Sequence, residues 1–320
     1  MQTVESQLQR DQVAPDLREL VLTLLQASKT IADKVRRGAL AGVLGSAAQQ
    51  NVQGETQKKL DVIANDILKQ ALLASGQVRA LASEEEDQVV AGNAGGPYVV
   101  AFDPLDGSSN IDINAQIGTI FTVYRALDVA PDSPAQFAQP GRAQVCAGYV
   151  LYGPSTQLAL TTGGPSRLYT LDSDGQYWLT EPELTIAPDC QEYAINISNQ
   201  RHWAPDTQAY IQALQAGSEG ARGKDFNMRW NGAMVGDVHR VLVRGGIFLY
   251  PANTQSNIHN GKLRLLYEAN PMAMLVEQAG GKASSGVQRI LEVQPEHLHQ
   301  RVPVILGASN EVDEFTAARR

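Results

Sequence analysis

Apolar residues recur along the first quarter of the chain at helical spacing. Between Asp16 and Val35, Leu17, Leu20, Val21, Leu24, Leu25, Ile31 and Val35 share one face, and Lys34, Arg36 and Arg37 close the segment. The spacing predicts a packed helix whose cationic end suits the helix dipole. From Gln57 to about Ala74 the pattern repeats through Leu60, Ile63, Ile67 and Ala71, with Asp61 beside that face. The stretch between them, Gly38 to Gly54, is rich in Gly, Ala and Gln, has no period and reads as a loop. Beyond Gly76 the period shortens. Val78–Ala82 predicts a strand that runs into Ser83-Glu84-Glu85-Glu86-Asp87, and Val99–Phe102 predicts another that runs into Asp103-Pro104-Leu105-Asp106-Gly107-Ser108-Ser109-Asn110. Two strands that end in acid point to the carboxyl edge of one sheet, where open α/β sheets bind ligands.

Gly118–Tyr124, Val145–Tyr152, Gln157–Thr161, Arg167–Leu171 and Glu183–Ile186 then form a meander of strands punctuated by Gly, Pro and Asp. A break near Pro188-Asp189 divides the chain into residues 1–187 and 188–320. The second unit alternates: strand Tyr193–Ile197, helix Asp206–Gln215, helix Gly232–Val243, strand Ile247–Tyr250, a helix started by Asn270-Pro271 as N-cap and first residue and ended by Gly280-Gly281, strand Val302–Leu306, and a closing helix from Asn310. The alternation predicts two α/β units in layers, with no internal repeat.

Composition narrows the class. A chain of 320 residues with 43% hydrophobic and 19% charged residues has ample material for buried cores. A net charge of −8 argues against non-specific nucleic-acid binding. No basic-then-apolar leader and no apolar run near the ~18 residues of a membrane span is present. With only Cys146 and Cys190, the expectation is a cytoplasmic protein with reduced thiols and no membrane partner.

The acids carry the chemistry. Asp61, Glu84, Glu85, Asp103, Asp106 and Glu268 fall at element ends or helix faces, and together they would repel one another unless cations neutralised them. Oxygen ligands without a Cys or His cluster favour Mg²⁺, with Mn²⁺ as a substitute, over Zn²⁺. Gly107-Ser108-Ser109 adds small side chains and open backbone N–H groups, as an anion cradle requires. Metal-assisted phosphate hydrolysis, with a metal-bound water beside a carboxylate base, is the chemistry this set supports. Competing motifs fail on spacing: there is no P-loop, no calcium loop and no Gly-x-Ser-x-Gly elbow. Asn196-Ile197-Ser198 reads as a core or site segment rather than a glycan acceptor. His239, among Val235, Val238 and Val241, reads as structural.

At Asp103-Pro104-Leu105-Asp106-Gly107-Ser108-Ser109-Asn110-Ile111-Asp112 the chain resembles the class I fructose-1,6-bisphosphatase family, within the lithium-sensitive, magnesium-dependent phosphatase superfamily. Lys58-Lys59-Leu60-Asp61-Val62, Gly118-Thr119-Ile120-Phe121, Gly245-Gly246-Ile247-Phe248-Leu249-Tyr250-Pro251-Ala252 and Gly261-Lys262-Leu263-Arg264-Leu265-Leu266-Tyr267-Glu268-Ala269-Asn270-Pro271-Met272-Ala273 carry the likeness over nearly the whole chain from Asp16. The resemblance implies the sugar phosphatase fold, a layered αβαβα sandwich. It also implies hydrolysis of fructose 1,6-bisphosphate to fructose 6-phosphate in gluconeogenesis or a reductive pentose phosphate cycle. Metal ligation falls to Glu84, Glu85, Asp103, the Leu105 carbonyl, Asp106 and Glu268. Asp61 and Glu85 orient and deprotonate the attacking water. Asp106, Gly107, Ser108 and Ser109 take the 1-phosphate, and Asn196, Arg229, Met234, Tyr250 and Lys262 take the sugar and the 6-phosphate. Arg229 is implied to reach a neighbouring subunit's site, in a homotetramer or at least a homodimer.

Three departures from the family pattern matter. Trp230 stands where the family has Tyr, which opens a dual activity on sedoheptulose 1,7-bisphosphate as the alternative, with a non-catalytic sugar-phosphate sensor as a remoter one. Pro15-Asp16-Leu17-Arg18 and Pro97 replace the hydroxyls and the cation of the allosteric nucleotide loop, although Arg125 remains, so AMP inhibition does not carry over. The cysteine-bearing insertion of the light-regulated chloroplast form is missing, and thioredoxin control goes with it.

Overall fold

The computed structural model describes residues 2–50, 56–255 and 259–318. Its first half builds an eight-stranded sheet. The spatial order is Tyr177–Glu181, Arg167–Leu171, Thr156–Thr161, Gln144–Tyr152, Ile117–Arg125, Tyr98–Asp106, Val78–Ser83, Val90–Ala91. Neighbours are antiparallel except Val78–Ser83 and Tyr98–Asp106, which run parallel, with Ser83 opposite Phe102. The acids after Ser83 and after Phe102 therefore emerge side by side at one sheet edge. Every residue of Tyr98–Asp106 is buried. Val100 and Phe102 face one core and Val99 and Ala101 another, as the period-2 alternation of a strand covered on both faces demands.

Helices Pro15–Arg37 and Lys59–Ala74 cover one face of this sheet. The first starts with Pro at its N-terminus and ends at Gly38. Helices Met234–Arg244 and Asn270–Gln278 cover the other face and also pack on the second sheet. That sheet is ordered Asn227–Met228, Glu192–Ala194, Ile247–Tyr250, Val304–Gly307, Lys282–Ser284. Helix Ser309–Ala317 packs on its outer face. Helix Pro205–Gln215 joins it there, where Tyr210 meets Phe315 edge to face at 5.2 Å. The result is the αβαβα sandwich. Gly118 is required at the inner seam: a Cβ there would lie 2.4 Å from the Val150 carbonyl oxygen and 2.7 Å from Val235.

Several elements differ from the sequence reading. Glu183–Ile186 is not a strand, because its N–H groups go elsewhere: Leu184 donates to the Ser166 carbonyl and Ile186 to the Ala279 carbonyl. The edge strand is Tyr177–Glu181, after the Asp172–Gly175 turn. Val302–Leu306 is split at Pro303, which has no N–H: Arg301–Val302 pairs with Leu263–Arg264, and Val304–Gly307 pairs with Ile247–Tyr250. Tyr193–Ile197 shortens to Glu192–Ala194, because Asn196 caps a short helix at Ile197–His202. Asn270 is not an N-cap: a π turn, Leu265–Ala269, leads straight into the helix, and the Asn270 amide donates to the Tyr124 hydroxyl. Ser46–Gln50 and Thr56–Lys58 pair as a ribbon inside the predicted loop, whose residues 51–54 lie outside the described residues. Helix Val4–Arg10 has no counterpart in the sequence reading.

Both cysteines are buried and free, in different cores, and burial pushes their thiols up to about 12 for Cys146 and about 11 for Cys190. No helix among the described residues is long and apolar enough to cross a membrane. His239 is structural: its Nδ1 lies 2.8 Å from the Tyr149 hydroxyl, and burial pushes its pKa down from 6.5 to about 4. The unfolded chain binds a proton in that window that the folded chain refuses, so stability falls as pH falls from 6.5 to 4. At 1.36 kcal/mol per pH unit, this one group accounts for a loss of about 3 kcal/mol. Urea unfolding at both pH values should show His239→Gln losing less stability than the wild type by roughly that amount.

Candidate active site

Asp61 is the third residue of helix Lys59–Ala74, where its carboxylate accepts the Lys58 N–H at 2.8 Å, a favourable place for a negative group. Its other oxygen, Oδ1, is buried with no hydrogen-bond partner. Asp103 and Asp106 lie in the last turnward residues of their strand, Glu84 and Glu85 just beyond the parallel neighbour, and Glu268 in the π turn. Carboxylate oxygens of Asp103, Asp106 and Glu268 all fall within 4.8 Å of one another. Backbone N–H groups fix each acid: Leu105 donates to Asp103 at 2.9 Å, Val235 to Asp106 at 2.6 Å and Arg264 to Glu268 at 2.6 Å.

This crowding has an electrostatic cost. Burial, then the charges of Glu84, Asp106 and Glu268, hold Asp103 well above the usual carboxylate range. Burial, with Glu84 among the charges that add to it, raises Asp106 to about 7 and Glu268 to about 8, and burial with Glu85 and Glu84 raises Asp61 to about 7. Such a set calls for positive charge from outside. An all-oxygen donor set and an orphaned buried oxygen on Asp61 fit a hard divalent cation.

All these acids border one cavity of about 310 Å³, together with Leu105, Gly107, Ser108, Ser109, Asn196, Met234, Tyr250 and Lys262. Gly107 takes φ 81° and begins the short helix Ser108–Asn110, which turns successive N–H groups toward one end. Lys262 Nζ sits 5.9 Å from the centre of the Tyr250 ring. Of the candidate site residues named from the sequence, Arg229 alone stays outside this cavity: it is exposed and donates to the neighbouring Met228 carbonyl.

The structure adds Arg264, which has no role in the sequence reading, and gives Trp230 and Glu86 definite surroundings. Arg264, 3% exposed, places Nη2 3.1 Å from Glu84 and Nη1 4.0 Å from Glu268. Its signal was a charge inside the apolar run Leu263-Arg264-Leu265-Leu266. Trp230 stacks on Phe248 with centroids 6.2 Å apart and leans on Tyr250, so an aromatic wall lines one side. Glu86 turns away from the cavity to the Asn65 amide and Lys69.

Comparison with known proteins agrees with this geometry. Residues 2–182 match the family described as "Fructose-1-6-bisphosphatase, N-terminal domain", and residues 186–320 match "Fructose-1-6-bisphosphatase, C-terminal domain". The chain belongs to the fructose-1,6-bisphosphatase family. It is similar to fructose-1,6-bisphosphatase class 1 of Cellvibrio japonicus, at 64% identity over 315 residues and 98% of both chains. It is also similar to that of Shewanella amazonensis, at 60% identity and again 98% of both. Among solved structures it resembles Leishmania major fructose-1,6-bisphosphatase in holo form, with a TM-score of 0.94 at 41% identity over 99% of this chain and 98% of the other. Against the T-state of the same enzyme the TM-score is 0.88, at 38% identity and the same coverage. The chain is thus a phosphatase of phosphate monoesters, of a family that implies a divalent metal cation.

Gly107 offers a direct check on the cradle. A Cβ there would lie 2.4 Å from the Ala233 Cβ, at a φ that L side chains rarely adopt. Gly107→Ala should lower phosphate release by at least about 100-fold and stability by about 1–3 kcal/mol, read by phosphate assay and thermal melt.

Proposed function

We propose that this chain hydrolyses the 1-phosphate of D-fructose 1,6-bisphosphate, in gluconeogenesis or a reductive pentose phosphate cycle, in the cytoplasm and as a homotetramer. The observation that carries the reading is one cavity holding buried, clustered carboxylates and an anion cradle on one side and Lys262 and Tyr250 among its walls. Residues 1–187 supply the cradle and most of the acids. Residues 188–320 supply Glu268 and the sugar and distal-phosphate contacts.

In this reading the N–H groups from Gly107 to Ser109, with Asp106 beside them, hold the 1-phosphate. Asp61 and Glu85 orient the attacking water and take its proton. Glu84, Glu85, Asp103, the Leu105 carbonyl, Asp106 and Glu268 would hold Mg²⁺, or Mn²⁺ in its place, which would neutralise the carboxylates and the charge that develops on the phosphoryl group and leaving oxygen. Asn196, Met234, Tyr250 and Lys262 hold the sugar and the 6-phosphate. Arg229, exposed on its own subunit, serves the neighbour's cavity. At the allosteric segment, Asp16 stands 3.9 Å from Arg125, so a carboxylate already faces the cation left for a nucleotide phosphate.

Trp230 keeps a second substrate in view, because its indole reshapes the distal wall where a longer sugar bisphosphate would extend. Phosphate release should be rapid from fructose 1,6-bisphosphate, vanish on chelation, return with Mg²⁺ and resist AMP. Comparable efficiency on sedoheptulose 1,7-bisphosphate would make the enzyme dual, and absent Mg²⁺-dependent turnover would leave the sensor reading. Asp61→Asn and Glu85→Gln should each cut kcat by about 100-fold or more while leaving substrate binding nearly unchanged. Mixed oligomers of Arg229→Ala and Asp61→Asn subunits should recover activity that neither homo-oligomer has.

A further inference from the structure

Asp112 lies outside the cavity, two residues past the short helix of the anion cradle, and its carboxylate makes two long-range contacts. One oxygen, Oδ2, lies 2.7 Å from Lys58 Nζ. The other, Oδ1, accepts the Gly45 N–H at 3.0 Å. Gly45 immediately precedes the ribbon strand Ser46–Gln50, and Lys58 ends its partner Thr56–Lys58, so one side chain grips both feet of the ribbon. The backbone closes the ring on the same side: Lys59 N–H donates to the Gly45 carbonyl at 3.1 Å.

Lys58 is also the residue whose N–H holds the Asp61 carboxylate, at 2.8 Å. The path therefore runs from the cradle turn through Asp112 to the Lys58 side chain, and through the Lys58 backbone to Asp61. We propose that Asp112 is a positioning residue. It fixes Lys58, and so the oxygens of Asp61, relative to the phosphate held by residues 107–109. This rests on the assignment of Asp61 to water activation.

The magnitudes separate this role from a structural one. Both partners of the ion pair are partly in water, at 24% and 39% side-chain exposure, and pairs of that kind add little to global stability. Catalytic geometry is far less tolerant, since small displacements of a reacting group cost large factors in rate. Loss of Asp112 should therefore appear in kcat and not in the melt.

The test uses the full chain with Mg²⁺ and fructose 1,6-bisphosphate. Asp112→Asn and Lys58→Met should each lower kcat by about tenfold, with KM moving less than about twofold and the melting temperature unchanged. The double variant should be no slower than the slower single, because the two act as one unit. Asp112→Glu should recover part of the rate. Wild-type kcat in Asp112→Asn, multiplying losses in the double variant, or a fall in rate that merely tracks a lowered melting temperature would overturn the proposal. Asp61→Asn, run alongside, separates the two assignments: if it retains turnover, the water-activation role fails, and if it is inactive while Asp112→Asn is normal, only the positioning role fails.

Discussion

Buried negative charge is the constraint around which the molecule is arranged. Asp61, the pair Asp103 and Asp106, and Glu268 come from three places in the chain, and each would cost several kcal/mol if ionised alone in an apolar interior. The fold makes the arrangement tenable locally by giving each carboxylate one backbone N–H, from Lys58, Leu105, Val235 and Arg264 respectively. Arg264 adds a fixed cation beside Glu84 and Glu268. One guanidinium does not balance so many acids, and the remaining imbalance in this cavity of about 310 Å³ is what a divalent cation would neutralise.

The sheet edge makes this concentration possible. Parallel pairing of Val78–Ser83 with Tyr98–Asp106 in an otherwise antiparallel sheet puts two acidic strand ends next to each other. The π turn Leu265–Ala269 delivers Glu268 from the middle helix layer. A π turn widens the helix locally and re-aims one side chain, a device that recurs at functional sites. The helix beginning at Met234 meets the same point from the other side, through the Val235 N–H to Asp106.

Much of this was legible in the residues themselves. Long amphipathic helices and both acid-tipped strands were visible in period and punctuation; the cavity is bordered by the acids and the Gly107–Ser109 turn read from the residues, and also by Leu105, Asn196, Met234, Tyr250 and Lys262, which only the family resemblance supplied, but not by Arg229. What escaped depends on partners far away in sequence. Glu183–Ile186 has the residues of a strand, yet its N–H groups are claimed by Ser166 and Ala279. Glu86, outside the candidate site in both readings, meets Lys69 and Asn65, contacts that no local pattern shows. Arg264 looks like an ordinary charge until the fold brings Glu84, 180 positions earlier, to its guanidinium.

The middle helix layer belongs to both sheets at once. Ile120, Tyr149 and Leu151 of the first sheet share a core with Ile247, Phe248 and Leu306 of the second, through Val235, Val238, Met272 and Leu275 of the helices between them. The two sequence families meet between residues 182 and 186, but no gap in packing corresponds to that seam. Gene fragments cut there would each expose one side of a common interior, and neither would behave as a transplantable module. For anyone recombining pieces of such proteins, the tradable unit is the whole five-layer body, with the acid-lined cavity at its inner join.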